Sequence, residues 1–191
     1  MFRCLRRLAH WRDIQIVVLN NAFGNIANAA GGARVSGLEL SLTARPADHL
    51  ALNGSFAYQH AYLKESDPNL GAIGGERLPN VPRVTGGLNA DYTFSQIAIR
   101  PSVGATLRYV SSRDSSFDGS ARPQYALPAY ASIDLRSSIN LNVSAPISVQ
   151  LYVHNLLDRR GQMSALLTEF GTARVSILQP RTIGVLATAT F

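Results

Sequence analysis

From about residue 35 to the C-terminus, apolar and polar residues alternate along the chain, most plainly over residues 130–143. There Ala131, Ile133, Leu135, Ile139, Leu141 and Val143 fall on one side, and Ser132, Asp134, Arg136, Ser138, Asn140 and Asn142 on the other. A helix would mix the two sets around its circumference. A strand separates them, because successive side chains point to opposite faces. The pattern therefore predicts a strand with one apolar and one polar face.

The same alternation recurs six times. Residues 147–153 set Ile147, Val149, Leu151 and Val153 against Ser148, Gln150 and Tyr152. Residues 181–191 set Ile183, Val185, Ala187, Ala189 and Phe191 against Thr182, Thr188 and Thr190. Residues 97–109 place Ile97, Ile99, Val103, Ala105, Leu107 and Tyr109 opposite Arg100, Ser102, Gly104, Thr106 and Arg108. Residues 84–94 place Val84, Leu88, Ala90, Tyr92 and Phe94 opposite Thr85, Asn89, Asp91 and Thr93. Upstream, Leu38, Leu40 and Leu42 oppose Glu39, Ser41 and Thr43, and Leu50, Leu52, Phe56 and Tyr58 oppose Asn53, Ser55 and Gln59. Residues 11–19 are expected to supply a less regular eighth strand.

The connections alternate in length. Tight turns are expected near Pro46-Ala47-Asp48, Ser95-Gln96 and Ser144-Ala145-Pro146; between them lie long polar or Gly/Pro-rich stretches, residues 64–83, 112–128 and 158–180. Long structureless loops are unusual in a compact domain, whereas a membrane barrel has short periplasmic turns and long outer loops. Strand length agrees: fourteen residues at about 3.3 Å extend roughly 46 Å, and a tilt near 45° projects this to roughly 33 Å, more than an apolar band of about 25 Å. Aromatic residues fall where interfacial belts are expected, with Tyr92, Phe94 and Phe191 toward the short turns and Tyr58, Tyr62 and Tyr109 toward the loops.

Alternation alone also fits a soluble sandwich or lipocalin-like barrel. Composition favours the membrane. Of the 191 residues 46% are hydrophobic and only 16% charged, yet no apolar run reaches the roughly 18 residues a spanning helix needs. The polar face carries small residues with Asp91, Arg100, Arg108, Asp134 and Arg136, where a soluble surface would show more Lys and Glu. The candidate lumen-facing charges Arg100, Arg108, Asp134 and Arg136 are expected to pair across strands rather than to hold a ligand. The net charge of +6 owes much to Arg3, Arg6, Arg7 and Arg12, and the later cations are scattered singly, so no nucleic-acid surface is expected.

Little points to chemistry. Cys4 is the single cysteine, which excludes an internal disulfide and a Cys-rich zinc site. His10, His49, His60 and His154 lack metal-ligand spacing, no hydrolytic triad is discernible, and the glycine-rich run Gly71-Ala72-Ile73-Gly74-Gly75 falls in an outer loop with no helix after it to cradle a phosphate. No catalytic, cofactor or metal residue is expected. Residues 1–10 carry charge without the apolar stretch of a secretory signal, so they stay unassigned and raise the expectation of a fragment or an incorrectly chosen start.

Four segments resemble TonB-dependent outer-membrane receptors. Val153-His154-Asn155-Leu156-Leu157-Asp158 resembles the motif that leads from the penultimate strand into the last outer loop. Gln179-Pro180-Arg181-Thr182-Ile183-Gly184-Val185 followed by the terminal Phe191 resembles the last strand. The stretch from Asn28 to Leu40, with Gly37 and Glu39, resembles an Asn-x-Gly-x-Ala-x-x-x-Gly-x-Glu pattern, and Trp11-Arg12-Asp13-Ile14-Gln15 is similar to the strand before it. The resemblance spans residues 11–191 and singles out Gly37, Glu39, Asn155, Leu156, Asp158, Pro180, Arg181 and Phe191.

The resemblance implies an all-β fold of about eight antiparallel transmembrane strands, the C-terminal portion of a 22-stranded barrel, without the plug or the TonB box. It implies a non-catalytic role in energised uptake of a ferric siderophore or similar scarce nutrient in the Gram-negative outer membrane. The implied partners are outer-membrane lipid, a ferric siderophore in a full-length relative, the TonB complex through the N-terminal region only, and the barrel-assembly machinery through the strand ending at Phe191. The competing reading is an autonomous eight-stranded barrel with an anchor or adhesion role.

Overall fold

A computed structural model of the chain describes residues 2–11, 15–20, 23–28, 32–97, 99–120, 123–142, 146–167 and 172–189. In chain order its strands are β1 (Phe2–Trp11), β2 (Gln15–Asn20), β3 (Phe23–Asn28), β4 (Ala33–Ala47), β5 (Leu50–Leu63), β6 (Val84–Thr93), β7 (Ser102–Val110), β8 (Arg113–Asp114), β9 (Ala126–Leu127), β10 (Tyr130–Asn142), β11 (Pro146–His154), β12 (Gln162–Leu167), β13 (Ala173–Ile177) and β14 (Thr182–Ala189). Eight of them form one antiparallel sheet in the order β1-β4-β5-β6-β7-β10-β11-β14, so each long strand pairs with the next long strand of the chain. The short strands pair among themselves, β2 with β3, β8 with β9 and β12 with β13.

All three short pairs sit within connections between sheet strands, and these connections leave the same end of the sheet. The opposite end carries the brief link from β4 to β5 and the turn from β6 to β7, where the Phe94 N–H donates to the Pro101 carbonyl at 2.9 Å. Short and long connections thus alternate, as the sequence predicts, although three of the long ones hold two-stranded pairs of their own and the β5–β6 connection holds turns and the isolated Asp67–Ala72 bridge rather than structureless chain. Ser144 and Ala145 of the third expected turn lie outside the described residues.

Two boundaries differ from expectation. The first sheet strand is β1, pairing Phe2 with Leu42 through to Trp11 with Ala33, rather than residues 11–19. Gln15–Asn20 pairs instead with Phe23–Asn28, which places its alternation in a separate hairpin. The strand expected over residues 97–109 begins only at Ser102. Pro101 has no N–H for the ladder, and Arg100 turns the chain with a φ of 41°.

Register fixes the faces. Leu107 stands opposite Leu88 on β6 and Ile133 on β10, and Leu151 opposite Val185 on β14, so the apolar residues of successive strands share one side. That side is uncovered. Leu88, Val103, Leu107 and Leu151 are exposed, and Ile183 and Val185 are 67% and 66% exposed. Among the described residues the buried apolar side chains are Ala33, Ala61, Leu63, Ala72, Phe117, Leu127 and Ala165, all at the long-connection end. A soluble sandwich would bury the apolar sheet face against a second layer; here the core lies beyond the end of the sheet, where Leu63, Ala72 and Phe117 pack together with Leu70 and Leu78.

The polar face and the outer clasp as candidate functional site

Antiparallel pairing brings Asp91 on β6, Gly104 on β7 and Arg136 on β10 into one row across the polar face. The Arg136 guanidinium ion-pairs with Asp91 across the intervening glycine. A Cβ on Gly104 would come within 2.4 Å of Asp91 Oδ1 and 2.8 Å of Arg136 Nε, so the glycine leaves the space in which two strands that are not neighbours join. Arg136 also donates to Asn89 Oδ1 at 2.8 Å and Thr106 Oγ1 at 3.0 Å, while the Asn89 amide donates to Asp91 Oδ2 at 2.6 Å. The network's donors and acceptors satisfy one another, so the half-exposed charges of Asp91 and Arg136 are matched within the sheet face.

One step nearer the loops, Arg108 donates to Asp134 Oδ2 at 2.5 Å, and His154 Nδ1 lies 3.5 Å from the same oxygen. The other carboxylate oxygen accepts the backbone N–H of Asn155 at 2.8 Å. A small hollow of about 170 Å³ borders this group, with Thr106, Gln150 and Tyr152 in its wall. A larger one of about 450 Å³ lies over β5 to β7, lined by Asn53, Ser55, Asn89 and Arg108 among others. Both are concavities of the sheet; among the described residues no three His, Cys, Asp or Glu side chains come together to hold a metal ion.

Asn155 links this face to the outer end. It is buried, adopts a φ of 50°, and its side-chain amide donates to the Arg159 carbonyl at 3.0 Å and the Gln179 carbonyl at 2.8 Å, while Oδ1 accepts the Arg159 N–H at 2.9 Å. Asn tolerates the left-handed region better than other side chains with a Cβ, and no shorter or apolar residue could make these three bonds. Asp158, also left-handed at a φ of 49°, accepts the Arg181 N–H at 2.9 Å. That N–H, together with desolvation opposing it and the nearby guanidinium groups of Arg160 and Arg181, holds the Asp158 carboxyl below its ordinary range. Leu156 donates its N–H to the Ile133 carbonyl at 2.7 Å and its carbonyl faces the Arg181 guanidinium at 3.5 Å. The exit of β11 and the entry to β14 are thereby clasped.

The long connections form a folded layer. Glu76 accepts the Ile73 N–H at 3.1 Å and, across to the next connection, the Asp118 N–H at 2.7 Å. Arg113 is buried and donates to the carbonyls of Gln162 and Met163 in β12, at 3.3 and 2.6 Å. In the glycine-rich run every N–H from Gly71 to Gly75 already has an acceptor, namely the Pro68 and Asp67 carbonyls, Glu76 Oε2, Ser66 Oγ and the Leu63 carbonyl. No donors are left there to cradle a phosphate.

The expected site residues divide accordingly. Arg108, Asp134 and Arg136 lie on the polar face and are paired, but Asp91 is the partner of Arg136. Arg100 is not on that face: it is exposed in the turn between β6 and β7, its N–H donating to the Ile97 carbonyl at 2.8 Å. Asn155, Leu156, Asp158, Pro180 and Arg181 come together in the clasp. Gly37 and Glu39 lie elsewhere, in β4 opposite Gln59 and Ala57. A Cβ on Gly37 would stand 2.3 Å from the Tyr58 carbonyl oxygen, so close backbone approach accounts for the glycine. Phe191, Thr190, Val143, residues 12–14 and residues 29–31 lie outside the described residues. Asn89, Thr106, Tyr152 and Arg113 were not singled out from sequence; the first three stand at polar positions of alternating strands and become recognisable only once register aligns them with Asp91 and Arg136.

A family model described as TonB dependent receptor-like, beta-barrel, matches residues 11–156. The chain belongs to this family. Its members are transport receptors of the Gram-negative outer membrane, not enzymes. The metal-pseudopaline receptor CntO of Pseudomonas aeruginosa, from two strains, is 36% identical to this family member over 154 residues, which are 79% of this chain and 20% of CntO. Among solved structures, the ferric yersiniabactin uptake receptor FyuA of Yersinia pestis has a TM-score of 0.79 at 20% identity, covering 100% of this chain and 27% of FyuA. The siderophore receptor PiuA of Acinetobacter baumannii has a TM-score of 0.72 at 20% identity, covering 97% of this chain and 25% of PiuA. At such identities the two structures speak for the fold. The chain spans about a fifth of the length of the curated relatives it matches.

Proposed function

We propose that this chain forms eight consecutive strands, the C-terminal ones, of a larger TonB-dependent barrel that takes up a metal chelate such as a ferric siderophore, and that it does not transport alone. The observation that carries this reading is the sheet itself, with an uncovered apolar face, a polar face of mutually satisfied charges, and two ends that do not meet. Among the described residues β1 and β14 pair on one side only. An unpaired strand edge in hydrocarbon costs several kcal/mol per unsatisfied group, so such edges call for further strands.

The similarity to CntO favours a metal–metallophore complex as cargo, and the siderophore receptors among the structural neighbours favour a ferric chelate. Arg108 and Arg136 are engaged by Asp134 and Asp91, which supports a wall-stabilising role for these cations rather than chelate binding. The apolar face is read as meeting outer-membrane lipid, the last strand through Phe191 as meeting the barrel-assembly machinery, and the N-terminal portion of the whole receptor as engaging TonB.

Refolding the 191-residue chain in detergent tests this reading. Open edges predict polydisperse association without heat-modifiable migration on a gel. A compact, monodisperse, heat-modifiable monomer would instead establish an autonomous eight-stranded barrel.

A further inference from the structure

The hairpin of β12 and β13 is held on one flank and open on the other. β12 is tied to the rest of the outer layer, because Arg113 donates to the carbonyls of Gln162 and Met163 at 3.3 and 2.6 Å. Among the described residues β13 pairs with β12 alone, and all five of its residues are exposed. A free edge offers its row of N–H and C=O groups to any further strand, and proteins ordinarily blunt such edges with proline, lysine or a bulge. Ala173–Ile177 contains neither proline nor lysine, and the irregularity of the ribbon lies in β12, between Gln162 and Ser164.

The residues of β13 say which strand fits. In Ala173-Arg174-Val175-Ser176-Ile177 the three apolar residues share one face, and Arg174 and Ser176 share the other. Turned end for end about Val175, this sequence lies antiparallel to itself with Val175 opposite Val175, Ala173 opposite Ile177 and Arg174 opposite Ser176. Apolar residues then meet apolar ones, Val175 and Ile177 each being 41% exposed in the single chain, and no two arginines stand directly opposite. Sliding the pair by two residues either sets Arg174 against Arg174 or leaves Ala173 and Arg174 beyond the partner strand. We propose that β13 is a homotypic docking edge, pairing antiparallel with β13 of a second copy about a two-fold axis at Val175 and joining two hairpins into one four-stranded ribbon. Such self-matching contact, the same patch on both chains, is the kind that identical subunits form most readily. It concerns the outer layer and does not depend on how β1 and β14 are completed.

The test places single cysteines in the full chain, refolded in detergent with Cys4 replaced by serine, and reads the dimer captured by a short bis-maleimide on a denaturing gel. Val175→Cys is expected to link to itself. Ala173→Cys and Ile177→Cys are not, since two-fold pairing keeps like residues roughly 13 Å apart along the strands, yet a mixture of these two variants should give the mixed dimer. Charge reads the register independently. Added to Val175→Cys, Ser176→Arg sets an arginine against Arg174 twice per dimer and should lower the yield about three- to tenfold, whereas Ser176→Asp should raise it about twofold or more. Self-linking at position 173 or 177 equal to that at 175 would mean association without this register and overturn the proposal, as would a yield at 175 that ignores both charge changes. No link at 175 in chains of unchanged strand circular-dichroism signal would also overturn it and leave the edge to a strand of another protein. Heat-modifiable migration of the same samples reports separately on whether β1 and β14 need further strands.

Discussion

The smallest determinant of the polar face is a missing methyl group. Gly104 lets Asp91 and Arg136 meet across an intervening strand, so Gly104→Val should force the pair apart and lower stability by about 1–3 kcal/mol, the usual cost of overpacking. The urea midpoint of the lipid-reconstituted chain reports this, and an unchanged midpoint would mean the pair does not depend on that space. Asp134 and Arg108 should not be equivalent. Arg108 is 58% exposed in its side chain, and loss of an exposed pair costs about 0–1 kcal/mol. Removing the Asp134 carboxylate also orphans the Asn155 N–H, adding about 1–3 kcal/mol. Asp134→Ala is therefore expected to lower the urea midpoint more than Arg108→Ala. At this scale the sequence displayed the polarity of Arg108, Asp134 and Arg136 but not their partners, because partnership depends on register, which no single strand contains. Arg100 shows the converse failure: its alternation with Ile97 and Ile99 is real, yet the turn before Pro101 removes it from the strand.

Between elements, the clasp of β11 to β14 is the most specific feature. Its Asp158 titrates below the ordinary range because it accepts the Arg181 N–H, so the carboxylate favours the clasped state. A depressed carboxyl contributes stability that is fully present above its unfolded value of about 3.9 and is lost as pH falls through the lower folded value. Protection of the Arg181 amide from hydrogen exchange, corrected for intrinsic rates, should accordingly be flat above about pH 4 and fall below it. In Asp158→Asn the fall should vanish. Residues 155–181 also show why strand limits were readable while loop structure was not. Alternation marked β10, β11 and β14 to within a residue or two of their described limits, since one face of each strand is uniformly apolar. The β12–β13 hairpin has no such face; its Gln162–Leu167 strand alternates only as far as Ala165, and its pairing with β13 and the bonds from Arg113 to its Gln162 and Met163 carbonyls position it.

For the whole molecule, the decisive fact is the location of the buried apolar side chains, which among the described residues cluster at the long-connection end and are absent from the middle of the sheet. This assigns the apolar face to a solvent other than water. An arginine on that face, as in Leu151→Arg, should destabilise the membrane-inserted chain by about 2–4 kcal/mol if it lies near the bilayer midplane, whereas a Gln150→Arg change on the opposite face should cost far less. The most direct measurement labels single cysteines, in a background with Cys4 replaced by serine, at residues 132–135 and 150–151 of the chain reconstituted in vesicles. Quenching by lipid-borne nitroxides should be strong at positions 133, 135 and 151 and weak at 132, 134 and 150, with water-soluble quenchers giving the opposite order. Protection of positions 133, 135 and 151 from both classes of quencher would place those side chains in a dry protein core and contradict the account.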